Sequence, residues 1–282
     1  HHQPQPMSLH RAAHFMLLIS IHAACLAAIW TGVSVGDLVL CAVLYLVRMF
    51  GVTAGYHRYF SHRSFKTSRP AQFVLAMLAA SSAQKGPLWW SSHHRHHHQH
   101  SDTVEDVHSA RHYGFWRSHM LWWMDIENAG TDMNRVKDLA KNRELLWLER
   151  WHALPVAALA LGCYLWGGAS ALIVGFCWSS VLVWHATFSI NSLAHLIGHQ
   201  PFKVDDDSRN HWLLALLTLG EGWHNNHHFY PTSARQGFFW WELDIVYKVL
   251  VGMSKVGLVW DLRVPPDRVL AQRGAGTAAG AP

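Results

Sequence analysis

Residues 153–200 contain no Asp, Glu, Lys or Arg. A surface helix of a soluble protein buries one stripe and keeps charge on the other, so an uncharged run of 48 residues has no face to offer water. Gly167-Gly168 gives this run a turning point. Two more runs precede it. Phe15 to Val35 is 21 residues without a charge, and Leu38 to Val47 continues past Arg48 as Met49 to Tyr56. A bilayer core takes about 20 apolar residues per helical crossing. The chain therefore reads as an all-α integral membrane protein with four transmembrane helices, near 14–34, 37–56, 153–166 and 169–190. The third is the shortest. Core helices of a large soluble protein are the competing arrangement, and they sit poorly with 15% charged residues.

The positive charges orient these spans. The loops Thr31 to Asp37 and Trp166 to Ser170 carry no Lys or Arg, whereas the other side holds Arg11, Arg58, Arg63, Lys66, Arg69, Arg111, Arg117, Lys137, Lys141, Arg143 and Arg150. Both termini are expected in the cytosol, with residues 99–152 forming a cytosolic helical cap. Lys66 to Gln84 is too short and mixed to cross and is expected in the interface. Cys25, Cys41, Cys163 and Cys177 fall inside apolar runs without paired spacing, which suits packing rather than disulfides. The first apolar run lacks a cleavage site of small residues and fits a span better than a signal peptide. His1 to Pro6, before Met7, read as a tag remnant. The expected layout is a tag remnant and disordered N-terminus over 1–9, one membrane-embedded domain over 10–262, and a disordered tail over 263–282.

Histidine is the other anomaly, with 24 in the chain. Three sets stand out: His57-Arg58-Tyr59-Phe60-Ser61-His62, His94-Arg95-His96-His97-His98, and Gly220-Glu221-Gly222-Trp223-His224-Asn225-Asn226-His227-His228. Spacings of three and four put His94, His97 and His98 on one helical face, and likewise His224, His227 and His228. His57 and His62 are five apart, about 140° around an α-helix; they reach two different ions, or the helix ends between them. His195 adds a ninth imidazole. Nine neutral ligands exceed one tetrahedral zinc and suffice for two ions at four or five each. Imidazole alone does not name the metal. Asn191, one turn before His195, can complete a site directly or through water. His185, six residues before Asn191, is a candidate for orienting a ligand. His22, alone in the first span, is expected to hydrogen bond a neighbouring helix. His93, His96 and His100 lie off the pattern; His108, His112, His199 and His211 are candidates for supporting or surface roles.

These motifs, with Asn191-Ser192-Leu193-Ala194-His195, resemble in order and spacing those of the membrane fatty acid desaturases, in particular the acyl-CoA desaturases of the stearoyl-CoA (delta-9) type, as a bacterial-type member. The resemblance spans roughly residues 15–262. It implies four membrane helices under a cytosolic cap holding a di-iron centre. His57, His62, His94, His97, His98, His195, His224, His227 and His228 would be the metal ligands, and Asn191 would bind through a water. Two iron ions are implied as cofactor, with zinc able to replace them in a purified sample, and dioxygen as co-substrate. The implied reaction turns a saturated acyl chain into a cis-monounsaturated one between carbons 9 and 10. An unactivated methylene has neither acidic proton nor leaving group, so side chains alone cannot attack it and a redox group is needed.

Tyr45 lies twelve residues before His57, roughly 18 Å along a helix. The matching family position closes the far end of the acyl tunnel, so a Tyr there implies chains of sixteen carbons or fewer. Ser92 and His93 stand where vertebrate members carry an Arg-Asp pair that recognises the coenzyme A end. Acyl-CoA, acyl carrier protein or a membrane lipid is the expected carrier. Lys85, Arg111 and Arg117 are candidate carrier or donor contacts. Electrons would come from a separate ferredoxin, rubredoxin or b-type cytochrome with its reductase, and the location implied is the bacterial inner membrane with the metal site cytosolic. Membrane lipid is an expected partner; nucleic acid is not. Competing readings are a hydroxylase or acetylenase on the same scaffold, and a histidine-lined metal transporter.

Overall fold

The computed structural model describes residues 9–276. Three stretches are long and apolar enough to cross a membrane: Arg11–Thr31, Val35–Ser61 and Ala153–His195. Residues 1–8, most of the stretch expected as tag remnant and disordered N-terminus over 1–9, lie outside the described residues.

The second stretch starts where Ser34 and Asp37 cap each other. The Ser34 hydroxyl accepts from the Asp37 N–H, and the Asp37 carboxylate accepts from the Ser34 N–H, both at 3.0 Å. This satisfies donors that a helix start leaves open. The α-helix Val35–Phe50 then passes without a break into a π-helix, Gly51–Ser61. The wider ladder bonds residues five apart, and the His62 N–H donates to the His57 carbonyl at 3.2 Å. Side chains five apart thus come round to one face. The expectation that His57 and His62 diverge holds for an α-helix and is corrected here by the π ladder.

The third stretch is 43 residues long and folds back on itself. Gly168 takes φ 70°, a left-handed conformation that costs glycine little. Before the turn Val156, Leu159, Ala160 and Cys163 pack against Leu172, Ile173, Phe176 and Cys177 after it. The first stretch joins the group through Ala24 and Cys25. Outward, Leu161, Leu165 and Trp166 are exposed, a surface that suits lipid rather than water.

Arg48, in the second stretch, is 1% exposed. Its guanidinium donates to the Ser180 hydroxyl (2.8 Å), to the carbonyls of Ser81 (3.2 Å) and Phe176 (3.3 Å), and to the Ser179 hydroxyl. These bonds pin the second stretch to the third and to the end of the Arg69–Ala80 helix, and they offset the cost of burying the charge.

The Arg69–Ala80 helix lies against the π-helix through Leu75, Ala76 and Ala79. Pro87–His100 follows, with Pro at its first turn, where a missing N–H costs nothing. The polar segment folds as short helices, among them Ala110–His119 and Arg143–Arg150. Beyond the third stretch come Trp212–Leu217, His224–Phe229 and Ile245–Lys255. A two-stranded antiparallel ribbon pairs Lys66 with Trp260 and Thr67 with Val259. Residues 263–276, expected as disordered tail, are ordered instead. Asp267–Leu270 is helical, and Val269, 3% exposed, packs with Phe202 and Phe238. That apolar contact is what the Gly- and Ala-rich composition hides. Residues 277–282 lie outside the described residues.

Candidate metal centre

All nine imidazoles converge, and they do so as two groups. His57, His62, His94, His98 and His227 form one; His97, His195, His224 and His228 form the other. Within each, the ligand nitrogens lie within 4.8 Å of one another. The geometry is that of a ligand shell. Nε2 faces Nε2 between His57 and His227 at 3.0 Å, His62 and His94 at 2.8 Å, and His98 and His227 at 2.9 Å. In the second group His195 and His224 face each other at 3.0 Å. Two nitrogens at right angles, each about 2.1 Å from one ion, stand about 3.0 Å apart. Nε2 of His228 is buried without a partner, an orphan that a cation would satisfy. The donor set fits two metal ions.

The opposite ring nitrogens are held by carboxylates. Asp102 accepts from His195 Nδ1 at 2.7 Å, Asp106 from His97 Nδ1 at 3.0 Å and Asp206 from His228 Nδ1 at 2.7 Å. In the first group Glu221 accepts from His57 Nδ1 at 2.5 Å and from Arg58 Nε at 3.1 Å. Such partners fix the tautomer and ring orientation of a metal-binding histidine. The Gln236 amide reaches His227 Nδ1 at 3.3 Å while its own Oε1 is buried and unbonded. Turning that amide over lets Oε1 accept from His227 Nδ1–H, the arrangement that a metal on Nε2 requires.

The electrostatics separate the groups. Burial, and then the neighbouring imidazoles, hold His62, His94, His98, His224 and His227 well below the usual histidine range. They are neutral and free to bind a cation. His97 goes the other way: burial is outweighed by Asp106, with Asp102 and Asp206 adding to the pull. Asp102, Asp106 and Asp206 are themselves held down by their histidine partners against burial. Three carboxylates thus stand behind four imidazoles in the second group. In the first, the one carboxylate, Glu221, is shared with Arg58.

An apolar cavity runs up to both groups. His57, His94, His97 and His224 line it together with Met49, Val52, Trp90, Trp184 and Phe188. Asn191 also lines it. Tyr45, expected at its far end, is not part of the lining: its hydroxyl donates to the Leu217 carbonyl, and Met49, one turn nearer the histidines, faces the cavity instead. His185 touches none of the nine. It bonds His22 at 2.8 Å and His119 at 3.0 Å, and His119 bonds the Ser192 hydroxyl at 2.9 Å, between Asn191 and His195. Lys85 places Nζ over the rings of Trp89 (4.8 Å) and Trp123 (5.7 Å). Arg111 grips Asp207 with two bonds, at 2.8 and 2.7 Å, and Arg117 pairs with Asp125.

Sequence reasoning passed over Asp102, Asp106, Asp206 and Gln236. Asp102 and Asp106 follow His98 by four and eight residues, a signal available in the spacing. Asp206 and Gln236 come from loops and carried none.

A helical chain with membrane-length apolar stretches, nine imidazoles in two facing groups and a greasy cavity beside them defines a class, the histidine-rich membrane metalloproteins. The sequence profile of one family, Fatty acid desaturase, matches residues 30–260. Acyl-CoA 5-desaturase AL21 of Anemone leveillei is 38% identical over 259 residues, covering 90% of this chain and 80% of that one. The sn-2 palmitoyl-lipid 9-desaturase of Nostoc sp. is 37% identical over 219 residues, 76% of each. The sn-1 stearoyl-lipid 9-desaturase of Synechocystis sp. is 36% identical, over 79% of this chain and 70% of its own length. The chain belongs to the fatty acid desaturase family.

Proposed function

We propose that this protein is an oxygen-dependent desaturase that places a cis double bond between carbons 9 and 10 of a saturated acyl chain of sixteen carbons or fewer. The carrying observation is the pair of imidazole groups, Nε2 facing Nε2 at 2.8–3.0 Å, with members of both lining an apolar cavity. The overall reaction takes –CH2–CH2–, O2, two electrons and two protons to –CH=CH– and two waters. A pair of redox-active metal ions, which we propose to be iron, supplies when bound the oxidising power that side chains lack.

The chain's own residues do the rest. His57, His62, His94, His98 and His227 would hold one ion, and His97, His195, His224 and His228 the other, with Asn191 contributing through a water. Asp102, Asp106, Asp206 and Glu221 keep the Nδ1 protons in place and the rings aimed. The apolar walls exclude water and hold one methylene pair near the metals. Met49, backed by Tyr45 one turn further along the same helix, limits chain length. The apolar stretches support four crossings, the 43-residue hairpin making two of them. The excess of Lys and Arg at one end supports a cytosolic centre. Electrons would come from a separate ferredoxin, rubredoxin or b-type cytochrome.

The test is expression in a host without desaturase activity, followed by mapping of double-bond position and chain length by mass spectrometry. The expected product is a 9-unsaturated sixteen-carbon acid. Unsaturation at another carbon would refute the position, and a hydroxylated or acetylenic product the reaction type. A His57→Ala variant with undiminished unsaturation would show that the histidine groups do not carry the chemistry.

A further inference from the structure

A second cleft opens beside the apolar cavity, and His93 lines both. Ser92, His96, Glu127, Asp132 and Arg135 complete its polar wall. It encloses about 350 Å³, space for on the order of ten waters and so for a small polar head group. Its charge is unfavourable to a polyphosphate. Glu127 and Asp132 face a single Arg135, whose Nη1 already lies 3.6 Å from Asp132. The guanidiniums of Arg111 and Arg117 are held by Asp207 and Asp125. Lys85 offers one ammonium, lying over two indoles.

At the junction of cleft and cavity the provision is for a neutral acceptor. Trp122 lines the cavity at 7% exposure, and its Nε1–H has no partner. His108, 5.0 Å from that ring, also lines the cavity with a buried Nδ1 that makes no hydrogen bond and stands 3.8 Å from Asp106. Burial leaves the Trp122 donor without the water it would otherwise bind, and an ester carbonyl between head group and acyl chain would satisfy it. Ile126 and Met133, chain neighbours of Glu127 and Asp132, are 60% and 43% exposed, a rim suited to the bilayer interface.

We infer that the acyl carrier is a membrane glycerolipid with an uncharged or zwitterionic head group seated in this cleft, not coenzyme A. The inference rests on the desaturase reading above. The head group lies against Glu127 and Asp132, the ester carbonyl accepts from Trp122 Nε1–H, and the acyl chain runs down the cavity to the histidines.

The experiment uses membranes of a desaturase-lacking host expressing the full chain, with the host's electron supply and acyl transfer blocked. Deuterated dipalmitoylphosphatidylcholine and deuterated palmitoyl-CoA are supplied in parallel, and intact products are read by mass spectrometry. Deuterated unsaturation at least tenfold greater in phosphatidylcholine supports the inference. Equal or greater unsaturation on coenzyme A overturns it. So does unsaturation confined to host acids outside uncharged and zwitterionic glycerolipids with neither probe used, which points to another carrier. No unsaturated acid at all in the host overturns the desaturase reading itself. Glu127→Lys should shift the product ratio several-fold toward coenzyme A; an unchanged ratio removes the head group from this cleft. Trp122→Phe keeps the ring and loses the N–H, and should lower the rate on lipid about tenfold at unchanged metal content. An unchanged rate removes the ester contact.

Discussion

Replacing Asp206 with Asn changes one oxygen for one NH2 group and nothing in size. In the folded chain Asp206 accepts from His228 Nδ1 at 2.7 Å through one oxygen and from the Ser208 N–H at 2.9 Å through the other. The amide has a single acceptor, so its NH2 must face one of these donors. A buried donor left unpaired costs about 1–3 kcal/mol, which at about 1.4 kcal/mol per tenfold weakens metal binding by roughly 10–100-fold. The loss falls on the group of His97, His195, His224 and His228 alone. Asp102→Asn is the matched control. There one oxygen accepts from both His195 Nδ1 (2.7 Å) and the Asp207 N–H (2.9 Å), and the other from the Ser109 hydroxyl (2.9 Å). An amide satisfies all three, because the hydroxyl can rotate to accept from the NH2. Purified protein loaded with iron is titrated with a chelator while iron per chain is counted. Asp206→Asn is expected to fall from two ions to one at 10–100-fold lower chelator than the parent, with Asp102→Asn close to the parent. Equal damage from both variants, or loss of both ions together from Asp206→Asn, would refute the reasoning.

Three further outcomes are expected. A Cβ on Gly51 would sit 2.7 Å from Ala79 N and 2.8 Å from Leu78 C, backbone that cannot give way. Gly51→Ala should therefore cost about 1–3 kcal/mol in detergent unfolding, whereas Gly55→Ala meets the Leu75 side chain at 3.1 Å and should cost less; the reverse order counts against this packing. Burial, with His185 beside it, pushes the His119 imidazole down to about 4. Between that value and the ordinary 6.5 the unfolded chain binds the extra proton, so this contribution to stability is complete above pH 6.5 and lost as pH falls toward 4. His119→Asn should make the melting temperature fall less steeply across that window, and an unchanged slope removes the contribution. Met49→Ala should admit longer acyl chains, and Tyr45→Ala should do so to a lesser degree because it lies one turn further along the same helix and outside the cavity lining; a product profile identical to the parent for both would place the length limit elsewhere.

The parts legible in the sequence are those with a short period. His94, His97 and His98 share a face because an α-helix repeats every three to four residues, and the uncharged runs announce long apolar helices without tertiary knowledge. His57 and His62 resisted the same argument because the π-helix changes the repeat, and no residue between them signals that change. The carboxylates behind the rings come from loops whose positions depend on distant contacts: Asp206 from a linker, Asp102 from a turn with positive φ. Tyr45 shows the limit of counting along one helix. Its distance from His57 suits a tunnel end, yet the bond to the Leu217 carbonyl takes its hydroxyl away from the cavity, and only the packed structure contains Leu217 at that place.

The π-helix over Gly51–Ser61 also fixes a length. Each residue of a helix turns its successors by about a quarter turn, so removing one residue before His57 would swing its ring away from His227 and carry Arg58 off Glu221 and Asp244. Side chains along this segment can be exchanged one at a time, and neighbours can adjust by fractions of an ångström. Its residue count has no such latitude. For this chain a single-codon deletion there is the graver lesion, and iron content after deletion of Thr53, against Thr53→Ala, is the direct comparison.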